Sequence, residues 1–190
     1  MTAGRRKINL ILVRHGEPLR RPKGNGRLTR QGKEQARRLG RWLAENYKIQ
    51  AVYASPSTRT RETAQIINQK LIVPMVVKEN LTGLMGEPKL RKLLPKSGDP
   101  FDKDSSPKPL RVEYRRLCRQ VLRAVSEIVQ STQAGTILLV SHSDIIATLV
   151  RTLFGGHRMS VNTDFTGVSS LLWEGGRWEV TYLNLREHLA

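Results

Sequence analysis

The residues that follow the first apolar run of this chain have the types and spacing that phosphoryl transfer requires. Arg14, His15 and Gly16 come directly after Ile8–Val13, a continuous, β-branched-rich stretch that is typical of a short buried strand. A neutral imidazole attacks phosphorus well, and an adjacent guanidinium neutralises phosphate oxygens. A glycine lets the backbone turn tightly and approach an anion closely. The segment therefore indicates either a histidine nucleophile in a phosphate site or a strand cap with a surface histidine.

Two further segments carry a histidine and an arginine at comparable positions. Thr136–Val140 is the clearest buried strand of the sequence, and Ser141 and His142 follow it directly. Ala51–Ala54 predicts another strand, and the helix that follows it carries Arg59 in its first turn. Ligands of open α/β sheets bind at the carboxyl ends of the strands, so these segments predict one phosphate pocket. The four side chains expected to converge there are Arg14, His15, Arg59 and His142.

These segments resemble the histidine phosphatase superfamily, which includes the cofactor-dependent phosphoglycerate mutases. The resemblance extends over roughly residues 8–155, and the matching segments occur in the family's order. They are Leu12–Glu17, Leu28 and Thr29 with Gly32, Gln35 and Ala36, Tyr53–Ala64, and Val140–His142. The resemblance implies that His15 becomes phosphorylated and that three side chains hold the phosphoryl group. Those three are Arg14, Arg59 and His142.

The chain departs from the mutase pattern at the position of the proton donor. Relatives close to the mutases carry a glutamate there, where this chain has Thr82 and Gly83. They also carry an asparagine six residues after the nucleophilic histidine, where this chain has Arg21. The pattern is closer to the compact branch that contains the bacterial phosphohistidine phosphatases, which lack the mutase-type acid. Glu87 is the first candidate for a general acid in this chain, and Glu79 is the next.

The remaining candidates are weaker. Asp144 opens the helix after His142, where the helix macrodipole favours an acidic residue, and a catalytic role is the alternative. His157 and His188 are expected at the surface, because one follows a helix stop and the other lies near the C-terminus. No cluster of Cys, His and carboxylate residues has metal-ligand spacing, so we expect neither a metal nor a cofactor. The further predicted substrate contacts are Gly16, Arg21 and Ser141.

The elements that must position these residues alternate along the chain. The predicted strands are Ile8–Val13, Ala51–Ala54, Met75–Val77, Thr136–Val140, Gly167–Trp173 and Trp178–Leu183. The predicted helices are Thr29–Tyr47, Ser57–Gln69, Leu110–Ser131 and Asp144–Phe154. Ser57 is the expected N-cap of the second helix, Gly155 ends the last one, and Glu174–Arg177 joins the final strands as a hairpin. This order predicts an α/β three-layer sandwich with a mostly parallel central sheet flanked by helices. The family resemblance implies that this sandwich is similar to that of the phosphoglycerate mutases.

Length and composition set the broad class of the protein. A chain of 190 residues with 38% hydrophobic content fits one domain over 1–190, with a basic N-terminal extension at 1–7. Four prolines between residues 95 and 109 predict a mobile loop. No apolar run approaches 18 residues and no signal-peptide pattern is present, so we expect a cytoplasmic protein without a membrane partner. The single Cys118 excludes an intrachain disulfide and is expected in the core.

The charge of the chain is strongly positive and unevenly distributed. The net charge is +17, and residues 1–50 hold 14 Lys and Arg against 3 Asp and Glu. The density peaks at residues 20–30, just after the histidine motif, where a positive rim would attract anionic substrates. A nucleic-acid partner is not expected, because aromatic residues for base stacking make up only 5% of the chain. The expected partner is a phosphorylated small molecule or a phosphoprotein.

The sequence favours a phosphatase that hydrolyses phosphomonoesters or phosphohistidine through a phosphohistidine on His15. A mutase-type phosphoryl transfer is one alternative, although it requires exclusion of water and a ligand for the substrate carboxylate. A phosphate-binding or regulatory protein with little turnover is the other. The enzyme hypothesis and the binding-protein hypothesis can be distinguished. Only the enzyme is expected to carry acid-labile phosphate on His15 after incubation with an activated phosphoryl donor.

Overall fold

Six strands form one mixed sheet at the centre of the molecule. A computed structural model describes residues 6–19, 26–83, 90, 92–94 and 110–190. The strands are β1 (Lys7–Arg14), β2 (Ile49–Ala54), β3 (Met75–Val77), β4 (Gly135–Ser141), β5 (Val168–Glu174) and β6 (Arg177–Leu185). Their order across the sheet is β3-β2-β4-β1-β5-β6. The first four strands in this order run parallel, whereas β5 and β6 are antiparallel, so the predicted mostly parallel sheet is confirmed.

Helices cover both faces of this sheet. Those whose full range lies in the described residues are α1 (Arg30–Asn46), α2 (Thr58–Leu71), α3 (Val112–Ser131) and α4 (Ser143–Leu153), with short 3₁₀ helices at Glu79–Leu81 and Glu187–Leu189. Alternate residues of the central strands point to opposite faces. Ile11 and Val13 of β1 pack towards α1 and α2, whereas Leu10 and Leu12 pack towards α3 and α4. The result is the predicted three-layer sandwich with an apolar core on each side of the sheet.

The register of the parallel strands brings the two histidine segments together. Arg14 at the end of β1 lies opposite Ser141 at the end of β4. On the other side of β4, Ala54 at the end of β2 lies opposite Val140. Because the three strands end at the same edge, the residues that follow them, His15, Ser55 and His142, lie side by side.

The predicted helix ends and the predicted hairpin turn are present in the structure. The Ser57 hydroxyl accepts a hydrogen bond from the backbone N–H of Thr60 and so caps α2. Gly155 adopts a φ of +67° directly after the end of α4, a conformation that glycine enters without steric cost. The β5–β6 hairpin turns through Gly175 and Gly176, with φ of +57° and +84°. Two successive positive φ values match the right-handed twist of the flanking strands.

Two expectations about the surface of the molecule need correction or completion. The prediction that His188 lies at the surface is wrong: it is buried, and its Nε2 lies 3.0 Å from the Thr166 hydroxyl. The C-terminal 3₁₀ helix returns to pack against α1, where the His188 ring lies 6.2 Å from that of Trp42. His157 is half-buried and lies 3.2 Å from the Tyr114 hydroxyl. Cys118 is buried, as predicted.

Several predictions fall outside the described residues. These are the contacts of Arg21, the general-acid role of Glu87, the loop at 95–109 and most of the N-terminal extension. Lys7, assigned to that extension, is the first residue of β1. In the described part of the chain, none of the helices combines the length and the apolar character needed to cross a membrane.

Candidate active site

His15 lies at the centre of the site, and its ring orientation is fixed by the backbone. Its amide N–H donates to the carbonyl of Ser141 at 3.0 Å, which ties the end of β1 to the end of β4. Its ring Nδ1 lies 2.8 Å from the carbonyl oxygen of Gly16. A carbonyl can only accept, so Nδ1 carries the proton and Nε2 carries the lone pair. The nitrogen with the lone pair is the one that can act as a nucleophile.

Arg59 bridges the two histidines. Its Nε donates to Nε2 of His15 at 3.0 Å, and its Nη2 lies 3.2 Å from Nδ1 of His142. A guanidinium has donors but no acceptor, so both of these ring nitrogens present lone pairs to it. Arg59 occupies the first turn of α2, and the Ser57 cap fixes the start of that turn. One guanidinium therefore covers the reactive nitrogen of His15 and the facing nitrogen of His142.

A hydroxyl network sets the tautomer of His142. Its Nε2 lies 3.1 Å from the Ser55 hydroxyl, which in turn donates to the Thr60 hydroxyl at 2.9 Å. With Nδ1 accepting from Arg59, Nε2 is the protonated nitrogen and donates to Ser55. The His142 and His15 rings are 5.2 Å apart, measured between centroids, and stand nearly edge to face. The paired rings thus direct two lone pairs towards the same guanidinium.

Arg14 supplies the second cation of the site. Its guanidinium lies over the ring of Phe165 at 4.2 Å from the ring centroid, and its Nη1 donates to the carbonyl of Thr163. The Phe165 ring also lies 5.8 Å from the ring of His15. The segment before β5 therefore holds Arg14 beside His15 through stacking and hydrogen bonding.

Burial and positive charge keep both imidazoles neutral. Burial lowers the pKa of His15 well below its usual value, and the nearby charges of Arg59 and Arg14 act in the same direction. Burial also lowers the pKa of His142 to about 3, again with contributions from the two arginines. At neutral pH the site therefore combines two uncharged imidazoles with two guanidinium cations. An anion that enters it meets net positive charge and an unprotonated nucleophile.

Gly16 has a packing role that the sequence did not indicate. A Cβ at this position would lie 2.5 Å from the carbonyl oxygen of Gly32 in α1, so only glycine allows this close approach. The Gly16 N–H donates to the Thr63 hydroxyl at 3.0 Å, and its carbonyl accepts from His15. The predicted substrate contact of Gly16 therefore stays a prediction, while its part in orienting His15 is structural.

The other candidate residues differ in how far their side chains are buried. The Ser141 side chain is fully buried, and its carbonyl is the acceptor for the His15 amide. Glu79 is exposed at the start of the first 3₁₀ helix. Asp144 is 2% exposed, and its Oδ1 accepts from the N–H of Ile145 at 2.9 Å. Among the described residues, no group of three or more His, Cys, Asp and Glu side chains could hold a metal ion.

Sequence reasoning did not identify Ser55, Thr63 or Phe165. Ser55 follows β2 directly, at the strand-end position that pointed to His15 and His142, so its position was an available signal. Thr63 lies one helical turn after Arg59 and accepts from Gly16, a contact that depends on how α2 packs. Phe165 is more than twenty residues after His142 and reaches the site only because β5 pairs with β1.

The sequence matches a known family of proteins. The sequence profile of the histidine phosphatase superfamily (branch 1) matches residues 10–186 of the chain. The chain belongs to this superfamily. It is a phosphatase of the class that hydrolyses phosphoric monoesters, as the family assignment indicates.

Several known proteins match this histidine phosphatase over nearly its whole length. The uncharacterized phosphatase PhoE of Bacillus subtilis (strain 168) is 23% identical, over 95% of this chain and 96% of its own. A phosphoserine phosphatase mutant of Entamoeba histolytica, solved with phosphoserine, has a TM-score of 0.70 at 22% identity, covering 96% of this chain and 100% of its own. A phosphoglycerate mutase of Bacillus anthracis str. Sterne has a TM-score of 0.74 at 18% identity, covering 97% and 96%. The solved structures show that the fold is shared.

Proposed function

We propose that this histidine phosphatase hydrolyses phosphomonoesters of small molecules in two steps, through a phosphohistidine on Nε2 of His15. The orientation of the His15 ring carries the proposal. Nδ1 is hydrogen-bonded to the Gly16 carbonyl at 2.8 Å, so the lone pair of Nε2 points into the site. Burial keeps this imidazole unprotonated, which a nucleophile requires.

In the first step Nε2 of His15 attacks the phosphorus in line with the ester oxygen. A P–N bond forms, the ester P–O bond breaks, and the electron pair passes to the leaving oxygen. Arg59 must exchange its hydrogen bond to Nε2 for contacts with the phosphoryl oxygens, and Arg14 lies beside it to share that charge. Charged donors that are already in position stabilise the transition state without reorganising solvent.

In the second step water attacks the phosphohistidine and the P–N bond breaks. The electron pair returns to Nε2 of His15, and inorganic phosphate leaves. Splitting the hydrolysis in this way replaces one difficult displacement with two easier ones. The Ser55 contact holds His142 with Nδ1 towards the phosphoryl group in both steps. Phosphohistidine as a substrate follows the same course, with nitrogen as the leaving atom.

The substrate class rests on charge and on similar proteins. Two guanidinium groups in a buried site favour a phosphate dianion, and the exposed Arg27 and Arg30 add positive charge on the chain after the histidine motif. The similar Entamoeba histolytica structures contain phosphoserine and 3-phosphoglyceric acid. We therefore infer a small phosphorylated metabolite as the substrate and no requirement for a cofactor.

Trapping the intermediate tests this proposal. We expect rapid acid quenching during turnover of 4-nitrophenyl phosphate to leave acid-labile phosphate on the wild-type protein. His15→Ala should fold normally, bind no covalent phosphate and lose turnover, because the site has no second nucleophile at that position. A chelator should leave the wild-type rate unchanged. Turnover by a folded His15→Ala protein would refute the phosphohistidine mechanism.

A further inference from the structure

A buried carboxylate lies next to the site and has no part in the mechanism described so far. Asp144 is in the first turn of α4, two residues after His142, and is 2% exposed. Burial lowers the pKa of the Arg59 guanidinium, and the charge of the Asp144 carboxylate opposes this shift. The carboxylate is therefore close enough to the phosphate-binding cation to share its electrostatic environment.

The absence of a side chain at Gly83 makes room for this carboxylate. A Cβ at Gly83 would lie 2.7 Å from Oδ1 and 2.9 Å from Oδ2 of Asp144. Both distances are shorter than any tolerable contact, so a side chain at residue 83 and the present position of Asp144 exclude each other. The loop after the first 3₁₀ helix and the start of α4 thus compete for one volume, and here α4 fills it with a carboxylate.

Other acidic residues near the site are engaged elsewhere. The Glu17 carboxylate accepts from the Thr29 hydroxyl at 2.9 Å. The Glu62 carboxylate accepts from the Leu28 N–H at 2.7 Å and pairs with Lys33 at 3.3 Å. These contacts hold the start of α1 in place. Of the described carboxylates, Asp144 is the one whose charge acts on Arg59.

We propose that Asp144 is the proton donor and acceptor of the reaction, placed by α4 in the volume that Gly83 leaves open. This assignment rests on the proposed function. As the ester P–O bond breaks, the Asp144 carboxyl gives its proton to the leaving oxygen, and an alcohol departs in place of an alkoxide. As water then attacks the phosphohistidine, the carboxylate takes a proton from that water, and the proton leaves with the inorganic phosphate, so the carboxylate is restored.

The protonated form arises because substrate and carboxylate are both anionic. A phosphoryl group that enters beside a buried carboxylate cannot be accommodated with both groups fully ionised, so one proton is shared between them. Substrate binding thus delivers the proton that the first step consumes. The cations that face this pair are Arg14 and Arg59, and the neighbouring titratable rings are His15 and His142.

Dependence on the leaving group tests the assignment. Asp144→Asn keeps the shape of the residue and the acceptor for the Ile145 N–H. We expect kcat/KM for 2-glycerol phosphate to fall by about 10²-fold or more, the loss of a general acid. For 4-nitrophenyl phosphate, kcat/KM, which reports phosphohistidine formation and not its hydrolysis, should change less than about threefold, because the leaving group is stable as an anion. Glu45→Gln, on the exposed surface of α1, is the matched control and should behave as wild type.

Moving the carboxylate to the other segment provides a second test. In Asp144→Ala the volume beside Gly83 is empty, so the added Gly83→Glu substitution should restore turnover of 2-glycerol phosphate at least tenfold over Asp144→Ala alone. Phosphohistidine formation from 4-nitrophenyl phosphate should persist in Asp144→Asn, which separates this proposal from the function on which it rests. Equal losses of kcat/KM for 2-glycerol phosphate and 4-nitrophenyl phosphate in Asp144→Asn would overturn the proton-transfer role and would mean that Asp144 positions Arg59. Unchanged rates in Asp144→Asn, or a selective loss in Glu87→Gln instead, would also overturn it.

Discussion

In the proposed mechanism Arg59 has two successive tasks, which use the same atoms. In the empty site it donates to Nε2 of His15 and to Nδ1 of His142, and so covers the nucleophile. When a phosphoryl group enters, these donors become available to its oxygens. The exchange conserves the number of hydrogen bonds, and the added charge of the phosphate favours it. In this proposal a single residue covers the lone pair before binding and stabilises the transition state afterwards.

Substitution of Arg59 tests this dual role. Arg59→Ala should lower kcat/KM by roughly 10²–10³-fold, the loss expected on removing one charged contact to the transition state. Arg59→Lys should recover only part of that loss, because an ammonium keeps the charge but cannot span two histidines. Arg61→Ala, on the exposed side of the same helix, is the control and should retain activity. A change below threefold in Arg59→Ala would mean that Arg59 does not reach the phosphate.

At the level of elements, the strand and helix order was readable because local signals agreed with one another. β1 and β4 are apolar runs that end in histidine, and Ser57 and Gly155 mark helix ends by their chemistry. The direction of each parallel strand then fixed the edge at which these residues meet. Contacts between elements had no such local signal. Phe165 stacks on Arg14 only because β5, which follows it, pairs with β1. No local sequence signal near Arg14 or Phe165 predicts this strand pairing.

The contact between α1 and the segment that follows β1 depends on a glycine pair, Gly16 and Gly32. The Cβ of an alanine at residue 16 would lie 2.5 Å from the Gly32 carbonyl, and backbone atoms cannot yield as a side chain can. Gly16→Ala should therefore shift the Gly16 carbonyl that orients His15. We expect a loss of about 1–3 kcal/mol in the free energy of unfolding, as for other overpacked sites.

A matched glycine substitution separates strain from function in that experiment. Gly155→Ala meets no atom within 4 Å but places alanine at a φ of +67°, so it should cost about 1 kcal/mol of stability. Its turnover should match that of wild type, whereas Gly16→Ala should lose most of its kcat. Chemical denaturation and 4-nitrophenyl phosphate assays measure the two quantities. Full activity in Gly16→Ala would show that the carbonyl does not need its present position.

At the scale of the whole molecule, the C-terminus closes the fold over α1. The 3₁₀ helix Glu187–Leu189 packs there and buries His188 beside Thr166 and Trp42. Local sequence could not reveal this burial, since a histidine two residues before Ala190 has no apolar periodicity around it. Thr166 also binds β1, because its N–H donates to the Arg14 carbonyl at 3.0 Å. The terminal segment is thus linked to the strand that ends next to His15.

The burial of His188 makes the stability of the molecule depend on pH. Burial lowers the pKa of His188 to about 4, and the positive charge of Arg38 adds to this. In the unfolded chain the same ring has a pKa of about 6.5. Between these two values the unfolded state binds more protons than the folded state, so the free energy of unfolding falls as the pH drops from 6.5 towards 4. Above pH 6.5 both states are neutral at this residue, and its contribution is complete.

His188→Gln should therefore flatten the dependence of stability on pH. Glutamine can replace the hydrogen bond to Thr166 but takes up no proton, so the variant should lose less stability than wild type between pH 7 and pH 4. His15 and His142 are present in both proteins, and their own losses on acidification cancel in the comparison. His157→Gln is the control: its ring is only half-buried, so removing it should change the slope less. Urea denaturation at a series of pH values gives both slopes. Parallel curves for wild type and His188→Gln would mean that His188 titrates as it does in the unfolded chain, and that the C-terminal segment does not exclude water from it.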